Sequence, residues 1–193
     1  VGRPKQFDPD DAIARAMEVF WRDGYALATP RALVDEMGIG KGSLYHAFGS
    51  KRALFMLALR RYGDTQAAAL VEMLRRQDLP VRERLRLALE AVVTLDFTGD
   101  ERRGCFAANT ATELAAAGEE AASVVRDMFD RTEGAFLAAI EEGQRTGEVD
   151  PTRDAHALAS LLLNTVVGMR VLARTADGPE QVRRVVAAAL AAV

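Results

Sequence analysis

One cysteine, two histidines and six prolines are all that 193 residues contain of these types. A lone Cys105 cannot close an intrachain disulfide, which excludes a secreted disulfide scaffold. His46 and His156 lie far apart, and no metal-ligand cluster or Ser-His-Asp motif is recognisable. Neither a metal nor a cofactor is expected, and no residue is assigned a catalytic role. The adjacent acidic pairs Glu119–Glu120 and Glu141–Glu142 read as solvated helix positions. Long hydrophobic runs are also scarce. The most apolar stretch, about 155–173, is interrupted by His156, Asn164 and Arg170, and reads as a buried or interface helix rather than a membrane span. No basic-then-apolar leader opens the sequence, so a cytoplasmic protein with no membrane partner is expected. No segment makes a convincing strand. Overall positive charge is missing as well: the net charge is -3.

That total conceals an asymmetry. Residues 1–62 carry ten Lys/Arg against seven Asp/Glu, a net +3, whereas residues 63–193 carry fifteen against twenty-one, a net -6. A basic amino-terminal unit joined to an acidic body fits that distribution. Hydrophobic residues at 49 % are enough to give both parts a core. Alanine recurs throughout and favours helix.

Helix punctuation is clear. Asp8 is a capping residue, and Asp10 and Asp11 suit the positive end of a helix dipole. Apolar residues from Ile13 to Phe20 then recur at helical spacing, and Gly24 reads as a stop. Thr29–Pro30 places a hydroxyl cap before a first-turn proline, and Gly38 permits a left-handed ending. A short helix follows to Gly49, and Ser50 caps another that runs to about Arg76. Further helices are expected near 81–98, 105–117, 120–145, 152–175 and 179–192. The expectation is an all-α chain of about nine helices. Its domains are an amino-terminal unit at 1–60 and a larger helical unit at 61–193.

The segment GIGKGSLYHAFGSK, residues 38–51, carries the most specific pattern. Two short helices about a glycine turn suit a helix-turn-helix, whose second helix enters the major groove of DNA. Leu44 and Phe48 share its inner face. Lys41, Gly42, Ser43, Tyr45 and His46 are left for the outer face. Gly42 keeps that edge thin, Ser43 and His46 suit base edges or phosphate, and Tyr45 suits the backbone. Lys51 suits a phosphate beside the next helix terminus. Arg3 and Lys5 form a basic arm for the backbone or minor groove. Thr29 is a cap, and any phosphate contact is additional to that role. A phosphate-binding loop fails here: Lys41 is followed by glycine instead of Ser or Thr, and no strand precedes it.

Residues 3–60, from GRPKQFDPDDAIARAMEVFW through GIGKGSLYHAFGSKRALFMLAL, resemble the DNA-binding domain of the tetracycline-repressor (TetR/AcrR) family. The resemblance implies a three-helix DNA-binding domain followed by a helical body that dimerises and holds a ligand pocket. It implies double-stranded, near-palindromic operator DNA, a second copy of the chain and a small-molecule effector as partners. The expected role is a transcriptional regulator, a repressor released by that effector. Lys41, Gly42, Ser43, Tyr45, His46 and Lys51 fall on the family's DNA-facing positions, and Thr29 starts the supporting helix. Gly40 departs from the frequent Ser or Thr, weakening a cap by a few tenths of a kcal/mol, roughly.

For the body, candidate pocket residues are Phe97, Cys105, Phe106, Asn109, Thr110, Met128, Phe129, Phe136 and Met169, for an effector at least partly apolar. Periodicity does not separate a pocket aromatic from a core aromatic. Cys105 reads either as a small buried hydrophobe or, with Arg102 and Arg103 just upstream, as a reactive thiol. The stretch GCFAANTATELA resembles a subgroup in which a cysteine follows that glycine, and some related members sense electrophiles or oxidants. The last two helices suit a four-helix dimer contact through Leu161, Leu162, Thr165, Val166, Met169, Val182, Val186 and Leu190.

Overall fold

A computed structural model describes residues 7–98, 102–114 and 118–193. Arg3 and Lys5 lie outside the described residues. The order is α1 (Pro9–Leu27), α2 (Pro30–Met37), α3 (Lys41–Phe48), α4 (Lys51–Tyr62), a π-helical turn (Gly63–Ala67), α5 (Ala68–Leu74), α6 (Val81–Phe97), α7 (Phe106–Leu114), α8 (Glu119–Thr146), α9 (Ala155–Leu172) and α10 (Glu180–Ala192). The π turn joins α4 and α5 into one rod, so the described residues form nine rods, as expected.

The caps behave as their chemistry requires. Asp8, Thr29, Ser50 and Asp154 each accept a backbone N–H from the first turn of their helix. Gly24 behaves differently from a simple stop. It breaks helical geometry at φ 77, ψ 169, yet the chain resumes one more turn to Leu27, closed by Ala28 N–H donating to Gly24 O at 3.2 Å. A Cβ at Gly24 would lie 2.9 Å from Glu113 Oε2, so the kink and the close approach of α7 both call for glycine.

Two buried clusters organise the bundle. One joins α1–α4 to α7 and the start of α8. Within it, Phe55 and Phe106 meet edge-to-face at 5.8 Å, as do Tyr62 and Phe106 at 5.6 Å. The other joins α5, α6, α8, α9 and α10. The first cluster runs past residue 60, so the amino-terminal helices and α7 share buried side chains rather than meeting across a linker.

The second cluster takes in several of the dimer candidates. Leu162, Val166, Met169, Val182 and Val186 are buried inside the protomer, because α9 and α10 turn these faces onto α6 and α8. Thr165 and Leu190 are half-buried, and Leu161 is exposed together with Val171 and Leu172.

Candidate nucleic-acid interface and cavity

Helix α3 is held from behind. Leu44 and Phe48 are buried, and Phe48 meets Phe7 with ring centroids 6.1 Å apart. Gly38 takes the left-handed conformation at φ 67 that ends α2, and Gly40 starts α3 with no side-chain cap. The opposite side of α3 is open: Lys41, Gly42, Tyr45 and His46 are exposed and Ser43 is half-buried. Lys41 with Tyr45, and Gly42 with His46, are four apart and so share a face. A Cβ at Gly42 would have nothing within 4 Å. Thr29 caps α2 through its hydroxyl, which accepts from Ala32 N at 3.1 Å.

Lys51 is partly tucked in. Its Nζ lies 4.6 Å from the Tyr25 ring centroid and donates to Ala26 O at 3.4 Å. Burial lowers its pKa from the ordinary lysine value, while nearby Glu113 acts to raise it. Glu113 belongs to α7 and reaches across to the end of α1, where its carboxylate accepts Tyr25 N–H at 2.9 Å and Ala26 N–H at 2.6 Å. Glu113→Gln keeps the size but removes the charge and one acceptor. It is expected to destabilise the fold by about 1–2 kcal/mol, read from urea unfolding; an unchanged midpoint would show that the clamp is idle.

Above this junction lies a cavity of about 230 Å³ bounded by the π turn and α5, α6, α8 and α9, with Cys105 and Ala107 on its wall. Of the pocket candidates, Cys105, Met128 and Phe129 line it. The other pocket candidates pack elsewhere. Phe106 is wedged between Phe55 and Tyr62, and Phe136 and Met169 fill the second cluster. Phe97 lies beneath the Arg102 guanidinium at 5.0 Å. Asn109 binds Arg103 O and Arg174, and Thr110 is buried with its hydroxyl unpartnered among the described residues. A larger opening of about 570 Å³ lies on the other side of the π turn. Its charges of both signs include Arg84 paired with Glu142 at 2.5 Å and Arg75 paired with Glu72 at 3.2 Å. The smaller cavity is lined by Tyr62, Cys105 and Arg170, where the body meets α1 and α4.

Three residues at that junction were not among the candidates. Arg170, buried on α9, donates through Nη2 to Asp96 Oδ1 at 3.1 Å and to Gly104 O at 2.5 Å. Trp21 of α1 donates Nε1–H to the same Gly104 O at 2.9 Å. Tyr62 lies edge-on to Trp21 at 5.0 Å and donates its hydroxyl to Cys105 Sγ at 3.6 Å. Burial raises the Tyr62 phenol well above the ordinary tyrosine range, so it remains a donor at neutral pH. Arg170, the one arginine interrupting the apolar run of about 155–173, was the available sequence signal.

A helix-turn-helix with an open polar face, packed onto a helical body that contains a cavity, defines a DNA-binding regulator. Residues 12–57 match the family model "Bacterial regulatory proteins, tetR family", and residues 81–189 match "Tetracyclin repressor-like, C-terminal domain". The chain belongs to the TetR family: it is a sequence-specific DNA-binding transcriptional regulator that dimerises, and it is not an enzyme. It is 31 % identical over 184 residues to the HTH-type transcriptional repressor ComR of Escherichia coli K12, covering 95 % of this chain and 88 % of that protein. It is 31 % identical over 182 residues to the HTH-type regulator YezE of Bacillus subtilis 168, covering 92 % of each. Among solved structures, a cysteine-substituted CifR bound to 26-bp operator DNA superposes with a TM-score of 0.83 at 31 % identity over 99 % of both chains.

Proposed function

We propose that a dimer reads a near-palindromic operator through the open face of α3, acting as a repressor that a small, largely apolar effector releases. The observation that carries this reading is the solvent-facing row of Lys41, Gly42, Ser43, Tyr45 and His46, backed by buried Leu44 and Phe48. Lys51 serves as a phosphate contact at the edge of that row, Thr29 as a cap beside it and Arg3 and Lys5 as the arm. Residues 1–60 act as the reading unit and 61–193 as the sensing and pairing body. Pairing uses the outward side of α9 and α10. Only 33 % of α9 is buried within the protomer, although its length and apolarity would suit a membrane span. A partner's helices would cover Leu161, Val171 and Leu172.

Selection of binding sites from a random duplex library tests the reading. An enriched inverted repeat is expected; a folded dimer that enriches nothing at low salt would overturn it. Lys51→Ala is expected to weaken binding across sequences and lower the salt slope by about one unit. An unchanged slope would remove Lys51 from the phosphate contacts.

Cys105 supports a second mode of release, because it forms part of the cavity wall. An apolar thiol-alkylating agent such as N-ethylmaleimide is expected to release operator from the native protein, and Cys105→Ser to bind operator yet ignore the reagent. Equal release of both would end the thiol reading.

A further inference from the structure

We propose that the effector is an amphipathic monoacid whose apolar body fills the small cavity and whose carboxylate pairs with Arg170. The inference rests on reading that cavity as the effector site, and it adds the effector's chemical class. Among the described residues lining the cavity, Arg170 is the only charged one. The remaining wall is dominated by aliphatic side chains, including Leu70, Val92, Leu163 and Val166. Arg170 is already paired with Asp96, so a ligand's anionic end would engage the guanidinium beside that carboxylate.

The guanidinium is incompletely used. Both of its recorded hydrogen bonds run through Nη2, while Nε is buried and has no partner among the described residues. A carboxylate engages an arginine edge bidentately through two parallel N–H bonds. On that edge Nε is buried and unused while Nη2 already donates to Asp96 Oδ1 and Gly104 O, so a ligand carboxylate would have to displace one of those bonds. A small rotation toward the ligand satisfies Nε and draws Nη2 away from Gly104 O. That carbonyl also accepts from Trp21 of α1, so the anion acts on the same peptide group that anchors the reading unit. Differential binding to the two arrangements of this junction is what release from DNA requires.

The volume limits the size. A cavity of about 230 Å³ suits a short apolar chain. Octanoate and 1-octanol are therefore suitable probes, equal in chain length and different in charge.

Calorimetric titration of the full-length protein with each probe is the test. Octanoate is expected to bind about tenfold or more tightly than 1-octanol. Arg170→Gln is expected to bring that ratio close to one while octanol still binds. Arg170→Lys, which keeps the charge, is expected to retain most of the preference and guards against a variant that fails to fold. Equal affinity of the native protein for both probes would overturn the proposal. So would binding of neither probe by a protein that still shifts its operator, an outcome that leaves the DNA reading intact. Octanoate selectivity in a protein that binds no operator would support this inference while overturning the regulatory one.

Discussion

Gly42→Glu is expected to abolish operator recognition while leaving the fold intact or slightly more stable. Gly42 is the second residue of α3, and a Cβ there would meet nothing within 4 Å. Glutamate is a better helix former than glycine and is favoured in a helix's first turn, together worth about 0.5–1 kcal/mol in stability. On DNA the same side chain would occupy the thin leading edge and set a negative charge against phosphates. Like-charge contact costs several kcal/mol, which corresponds to about a hundredfold or more in affinity. Mobility shift against the selected operator, paired with thermal unfolding, reads both quantities. A variant that keeps operator affinity within about threefold, or roughly 0.6 kcal/mol, would remove α3 from the reading surface. The opposite signs of the two readouts matter, because a misfolded variant lowers both.

The α3 surface was legible because its determinants are local. Gly38, Gly40 and Gly49 punctuate the chain, and Leu44 and Phe48 share one face by spacing alone. Caps at Asp8, Thr29 and Ser50 follow the same short-range logic. The cavity was less legible because its determinants are distant in sequence. Phe106 and Phe129 look alike along the chain, yet the first fills the seam between Phe55 and Tyr62 and the second faces the cavity. Trp21 meets Gly104 across 83 positions and Glu113 meets Ala26 across 87. No helical period encodes such pairs. The π turn is hidden for a related reason. GDTQA reads as helix, and its wider winding lies where Gly63 passes close to Met128 and Arg131. α9 is apolar around much of its circumference, so periodicity alone did not separate its buried side, with Leu162, Val166 and Met169, from its exposed one.

Asp96→Ala is expected to cost about 3–5 kcal/mol of stability, because it leaves Arg170 as an uncompensated buried charge. For a chain of this size that lowers the melting temperature by on the order of 10 °C. The wild-type pair is nevertheless no simple source of stability. Burial outweighs the attraction of Arg170 and raises the Asp96 carboxyl above the ordinary aspartate value. The folded state holds this proton to higher pH than the unfolded chain does. Asp96's contribution to stability therefore falls as pH rises from the ordinary aspartate value through the raised folded one. It follows that removing both charges is tolerated better than removing one. The double variant Asp96→Leu with Arg170→Met is expected to recover most of the loss, since Trp21 still donates to Gly104 O and apolar side chains occupy the vacated volume. Urea unfolding of the wild type, both single variants and the double completes the cycle. A loss below about 1 kcal/mol for Asp96→Ala would mean that water reaches Arg170. A double variant no more stable than the single would mean that Arg170 holds the junction through Gly104 O rather than through its charge partner.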